Sequence, residues 1–254
     1  MVLPPAVEAL LADFAEHLSK ERGCSAHTVR AYLSDLTALY THLQRVDGPA
    51  PAEVTLRDLR TWLANQHAAG ADRSTVQRHA AAVRTFFAWA ARTGRVPSDP
   101  ARGLRSPKVD RRLPPTLEVD HARRLLDGLA AQAEALEDPQ QRAGSLRDSA
   151  ILEVLYSTGI RVSELCGLDL GDQDAERQLL RVLGKGGKQR VVPLGAPARR
   201  SLDAWLAVRG LLAVPAAEGA VFVGDRGGRI DPRVGRRIVH RSLARIPEAP
   251  DLGP

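Results

Sequence analysis

The sequence predicts a mainly α fold with a small β-sheet, an α+β arrangement of two domains joined by a basic linker. Three observations carry that prediction. Residues 5–94 hold four helical stripes, and residues 93–115 are rich in proline, glycine and basic side chains. Beyond residue 178 the helical period gives way to short β-branched or leucine-rich runs. The predicted boundaries are therefore 1–94, 95–113 and 114–254.

The first helix is "AVEALLADFAEHLSKERG", with Val7, Leu10, Leu11, Phe14 and Leu18 on one stripe and a stop at Lys20, Arg22 and Gly23. Ser25 is a good N-cap for the second, whose apolar face is Val29, Leu33, Leu36, Tyr40 and Leu43 before "DGPAP" breaks it. Thr55 caps a short third helix carrying Leu56, Leu59, Trp62 and Leu63, and Ser74 opens a fourth. There Val76, Ala80, Val83, Phe87 and Ala90 repeat at spacings of four and three. These four helices form a bundle. The stretch "TGRVPSDPARGLRSPKVDRRLPP" then reads as an extended, solvated linker, which either follows a phosphate backbone or serves only as a soluble connection.

Beyond the linker, "TLEVDHARRLLDGLA" starts at a Thr cap and carries Leu117, Ala122, Leu125 and Leu129. "SLRDSAILEVLYSTG" follows as a strongly apolar, buried helix. "QLLRVLG" and "QRVVPLG", separated by "KGGK", predict a β-hairpin. "APARRSLDAWLAVRGLL" returns to helix and "AVFVG" reads as a short strand. The final helix, "DPRVGRRIVHRSLARI", puts Val234, Ile238 and Leu243 inside and Arg233, Arg236, Arg237 and Arg241 largely outside.

Composition bounds the function. At 254 residues and 44% hydrophobic, the chain builds real cores, and no apolar run approaches the roughly 18 to 20 residues that span a bilayer. Acids interleave too early at the N-terminus for a secretory signal, so a cytoplasmic location with no membrane partner is expected. Cys24 and Cys166 lie far apart without metal-ligand spacing and read as reduced thiols. The net charge of +6 suits a polyanionic partner.

Two stretches bear chemistry. Of 36 basic side chains only four are lysines, and two of those, Lys185 and Lys188, crowd into one turn. Gly184, Gly186 and Gly187 let that turn take left-handed angles and bring its amides close to another surface. The combination suits a phosphate, or else a solvated hairpin tip. It is not a nucleotide-binding P-loop, because Gln189 follows Lys188 where Ser or Thr is required. In "YSTGIRVSELCGLDLGD" a helix ends at Gly159, and Arg161 follows at a rigid junction one turn before Glu164. Glu164 either orients Arg161 or makes a structural salt bridge with it.

Together these stretches resemble the tyrosine recombinase (phage integrase) family, of the XerC and XerD type. "TGIRVSELCGLDLGD" resembles its first-arginine box and "VLGKGGKQRVVPLG" its β-hairpin lysine box. "SAHTVRAYLSDLTAL" and "STVQRHAAAVRTFFAWA" resemble its core-binding domain, a SAM-like four-helix bundle, so the likeness covers essentially the whole chain. The resemblance implies a mixed α/β catalytic domain in the C-terminal half, closing with the bundle as a clamp around duplex DNA. It implies attack of a Tyr hydroxyl on a phosphodiester, giving a 3′-phosphotyrosyl link and a free 5′-hydroxyl, with no metal, ATP or other cofactor.

By position Arg161 is then a phosphate clamp, Glu164 its orienting partner and Lys185 the general acid, a role that guanidinium cannot fill. His27, Arg30, Arg73 and Arg78 are candidate DNA contacts from the bundle, and Lys188 and Arg190 from the hairpin. The implied partners are a duplex recombination site and a second recombinase of the family in a tetramer. The implied role is resolution of chromosome dimers at cell division, with phage or plasmid integration and a non-catalytic DNA-binding relative as alternatives.

The family pattern continues with His-x-x-Arg, a His or Trp, and the nucleophilic Tyr. Here the tyrosines are Tyr32, Tyr40 and Tyr156, all before Arg161, and His121 with Arg124 also precede it. The expectation is a catalytic domain incomplete at its C-terminal side, able to bind DNA but not to cleave it. Exposed apolar surface and marginal stability in the second domain are expected with it.

Overall fold

A computed structural model describes residues 2–46, 48–105, 116–217 and 219–245. Two compact units divide the chain, residues 1–112 and 113–254.

The first unit is a helical bundle of α1 (Pro5–Glu16), α2 (Ala26–Arg45), α3 (Leu56–Ala68) and α4 (Arg73–Arg92). α1 runs on as a π-helical turn, His17–Glu21, and stops at Gly23, whose φ of 58° favours glycine. Ser25 caps α2, its Oγ accepting the Thr28 N–H at 3.2 Å. Thr55 and Asp58 close a reciprocal capping box on α3, the Thr55 N–H donating to Asp58 Oδ2 at 2.9 Å. The fourth helix begins at Arg73 after Asp72, so Ser74 lies inside its first turn and does not cap it. Phe14, Phe86 and Phe87 are fully buried at the centre, with Phe86 against Phe14 at 5.2 Å and Phe87 at 5.0 Å between ring centroids.

Part of the stretch predicted to be an extended linker is packed. The Arg95 N–H folds back onto the Ala90 carbonyl at 2.8 Å, and Val96, Ala101 and Leu104 are buried in the first core. Residues 106–115, with Lys108, lie outside the described residues.

In the second unit α6 (Pro139–Thr158), α7 (Val162–Cys166), α8 (Ala196–Val208) and α9 (Pro232–Leu243) share one core, and α5 (Val119–Glu134) packs on α6 through a separate cluster. α5 starts after Glu118, past the Thr116 expected to cap it. α6 starts earlier than expected because Asp138 caps it, Oδ1 accepting the Gln141 N–H at 2.7 Å. An antiparallel sheet in the order β1 (Gln173–Asp174), β2 (Leu179–Leu183), β3 (Gln189–Pro193) contains the predicted hairpin and a short strand not foreseen.

"AVFVG" is not a strand. Its backbone pairs singly, through bridges Asp169 to Ala220 and Val223 to Arg229, while Val221, Phe222 and Val223 are each buried. Core filling makes this run apolar, without a neighbouring strand to continue a ladder.

A buried ionic network ties the unit together. Arg147 donates through Nε and Nη2 to Asp148 Oδ1 at 3.0 and 2.9 Å, and through Nη1 to the Val223 carbonyl and Asp225. From α9, Arg241 donates to Asp148 Oδ2 at 2.6 Å. Leu125, Leu126, Leu129 and Leu152 form a smaller cluster under an apolar groove of about 240 Å³ that Val239 and Leu243 also line. Val119 and Tyr156 are exposed large side chains of this unit. No described helix is long and apolar enough to cross a membrane.

Candidate nucleic-acid interface

The site begins where α6 ends. Gly159 adopts φ 62° and its N–H closes on the Leu155 carbonyl at 3.0 Å, a left-handed cap that turns the chain sharply. Ile160 is then buried, and Arg161 occupies the position before α7 with its side chain 71% exposed. α7 is anchored by Leu165 and Cys166, both buried, which leaves Glu164 one turn inside the same junction.

Every acceptor position of Glu164 is used, although its side chain is only 5% exposed. Oε2 accepts the Arg161 backbone N–H at 2.8 Å and Arg190 Nη2 at 2.8 Å. Oε1 accepts Arg161 Nη1 at 3.0 Å and Arg190 Nη1 at 2.8 Å. Hydrogen bonding from Arg190 first, and then from Arg161, holds the carboxyl down at about 2 against a desolvation that acts the other way. Glu164 is thus in a salt bridge with the Arg161 side chain and bonded to the same residue's backbone N–H. Among the described residues, the Nε and Nη2 of Arg161 carry no protein hydrogen bond and face solvent.

The hairpin reaches this carboxylate through strand parity. In β2, Leu180 and Val182 face the core, and the register pairs them with Val192 and Arg190 of β3. Arg190 therefore stands on the inward row, while Arg181, Leu183, Gln189 and Val191 form the outer one. The Gly184 N–H closes the tip onto the Lys188 carbonyl at 2.8 Å. Gly186 and Gly187 take φ of 76° and 73°, as predicted, whereas Gly184 does not, at φ −90°. Gly184 serves close approach instead. A Cβ there would lie 3.2 Å from Arg190 Nη1, 3.3 Å from the Lys188 carbonyl and 3.6 Å from Glu164 Oε1. Lys188 is exposed at the tip; the side chain of Lys185 lies outside the described part of the structure.

In the first unit His27 and Arg30 are exposed on the opening turn of α2, and Arg73 opens α4. Arg78 is partly engaged, since its Nη1 donates to the buried Asp35, which His79 also faces at 3.4 Å. Burial pushes the Asp35 carboxyl up and the His79 imidazole down. His79 stacks on Trp62 at 5.1 Å.

The structure therefore gathers Arg161, Glu164 and Arg190 into one cluster beside the lysine hairpin. Sequence reasoning named all three but missed the Arg190 to Glu164 pair. The inward parity of positions 180, 182, 190 and 192 was the available signal.

Two family models match. "Phage integrase, N-terminal SAM-like domain" covers residues 11–94, and "Phage integrase family" covers residues 119–250. The tyrosine recombinase XerC of Mycobacterium sp. (strain JLS) is 48% identical over 250 residues, 98% of this chain and 82% of that protein. A lambda integrase dimer bound to a COC′ core site superposes with a TM-score of 0.66 at 17% identity, over 92% of this chain and 62% of that one. A lambda integrase tetramer bound to a Holliday junction gives 0.64 at 18% identity, over 95% and 66%. At these identities the two structures establish a shared fold.

Proposed function

The chain belongs to the phage integrase family of tyrosine recombinases, and from that premise we propose that it binds duplex DNA and holds a backbone phosphate between Arg161 and the Lys185 hairpin in site-specific recombination. The observation that carries this is the Glu164 carboxylate, which bonds Arg161 and a hairpin arginine at once and so brings both sequence boxes to one place. Guanidinium and ammonium groups aimed at one phosphodiester are what a transition state gaining charge on its oxygens requires. Arg161 takes the non-bridging oxygens, and Lys185 is the general acid for the 5′ oxygen that leaves when the family's tyrosine hydroxyl attacks the phosphorus.

His27, Arg30, Arg73, Arg78 and Lys188 supply the positioning contacts to the sugar-phosphate backbone. Residues 1–94 act as the DNA-binding domain, with Val96, Ala101 and Leu104 packed into its core, and 114–254 act as the catalytic domain. The high identity to a XerC recombinase supports a XerC-like role in chromosome-dimer resolution, in the cytoplasm. A second recombinase is the partner in a tetramer, as the lambda integrase tetramer on its junction suggests.

These 254 residues bind DNA without cleaving it. Tyr40 is buried, Tyr32 is packed on the first core, and Tyr156 is exposed on α6, so none follows the lysine hairpin as the family's chemistry has it.

Arg161→Ala tests the clamp by fluorescence anisotropy with a labelled duplex. Binding should weaken about tenfold, and the slope of log affinity against log salt should fall by about 0.9, one phosphate contact. An unchanged affinity and slope refutes the clamp. Incubation with a nicked duplex should trap no covalent protein–DNA adduct, and recovery of one refutes the binding-only reading.

A further inference from the structure

Glu164 sets a problem for the clamp. A carboxylate three residues from Arg161 and bonded to its Nη1 cancels the charge that a phosphate would need. The cluster escapes cancellation because it holds two guanidiniums for one carboxylate, a formal excess of +1.

We infer that Arg190 is a positioning residue: by taking both oxygens of Glu164 in a fork, it prevents that carboxylate from neutralising Arg161 and leaves Arg161 charged toward DNA. This rests on the clamp proposed above and gives Arg190 a role other than phosphate contact. Three observations converge on it. Arg190 meets Glu164 with two bonds of 2.8 Å in bidentate geometry, whereas the Arg161 side chain makes one of 3.0 Å. Arg190 stands on the core-facing row opposite Val182, while Arg161 is the more exposed, at 71% against 41% for side chains. Gly184 leaves open the space where a Cβ would press on Arg190 Nη1 at 3.2 Å, so the turn is shaped around this pair. The depressed carboxyl of Glu164, with Arg190 as its largest cause, agrees.

The fork matters as much as the charge. A lysine at 190 offers one point of contact to two oxygens that are also bonded by Arg161, and cannot hold both. Without Arg190, Glu164 closes on Arg161 alone.

Four variants decide the matter, each checked by circular dichroism for retained helix and read by anisotropy on a labelled duplex of mixed sequence over a salt series. Arg190→Gln should weaken binding about as much as Arg161→Ala, roughly tenfold, with the same loss of salt slope. The double variant Arg161→Ala/Arg190→Gln should be no weaker than Arg161→Ala alone. Glu164→Gln/Arg190→Gln, which removes the neutralising charge, should restore binding to near the parent level. Arg190→Lys should fall between, and replaces Arg190→Gln throughout if the glutamine variant loses its fold.

Losses that add in the double variant, with no rescue by Glu164→Gln, make Arg190 a phosphate ligand and overturn the inference while the clamp stands. An Arg190→Gln variant that binds like the parent overturns it as well. If Arg161→Ala itself has no effect, the clamp fails, and the inference fails with it.

Discussion

Replacing Arg147 by Ala should destabilise the second unit by about 3 kcal/mol. Arg147 is only 4% exposed and makes two bonds to Asp148, one to the Val223 carbonyl and one to Asp225. Removing one partner of a buried ion pair costs about 3–5 kcal/mol, because the other charge is left uncompensated. Here Arg241 stays on Asp148 Oδ2 at 2.6 Å, so the lower end applies. For a unit of this size about 3 kcal/mol corresponds to a fall in Tm of roughly 6–12 °C.

The pH dependence of the loss identifies its cause. Burial already pushes the Asp148 carboxyl above its ordinary value of 3.8 in the parent, and losing Arg147 pushes it further. A carboxyl raised in the folded state favours folding when protonated, and that advantage is lost as pH rises through the window above 3.8. The penalty of Arg147→Ala should therefore be full near neutral pH and shrink as Asp148 takes up its proton in acid. Urea titration followed by tryptophan fluorescence, repeated between roughly pH 4 and 8, measures it. A loss below about 1 kcal/mol, or one equal at both ends of that range, refutes the reasoning. Replacing both partners, Arg147→Met/Asp148→Leu, should recover most of the stability, since no buried charge is then stranded.

Two further predictions concern the first unit. Phe86→Ala empties a fully buried ring site that touches Phe14, Tyr40, Phe87 and Trp89, and should cost about 3–5 kcal/mol by urea denaturation. Thr55→Ala opens the capping box of α3 and should cost about 1 kcal/mol. Hydrogen exchange should show that loss as faster exchange of the first amides of α3, leaving α4 unaffected.

Features governed by neighbours in sequence were legible from it. Ser25 and Thr55 could be named as caps because an N-cap contact spans three residues, and Gly159 as a stop because a left-handed cap needs glycine whatever packs around it. The hairpin was visible for the same reason: its glycines and alternating apolar residues are local signals. Ser74 and Thr116 misled because several polar residues near a helix start satisfy the same rule, and Asp72 and Glu118 hold the actual boundaries. Apolarity also misled at "AVFVG", since a buried run without a neighbouring strand has the composition of one within a sheet.

By itself the sequence determined most of the helices and the hairpin, each set by contacts a few positions apart, and singled out the charged residues on which the proposal rests. Only the tertiary structure decided which of those charges pair. Arg190 stands 26 residues from Glu164, yet makes its two 2.8 Å bonds there, and Arg241 reaches Asp148 across 93. Such pairs depend on which row of a strand and which face of a helix meet in a shared core. A guanidinium left to water reads the same in sequence as one held against a buried carboxylate, and only packing, by removing the water, tells them apart.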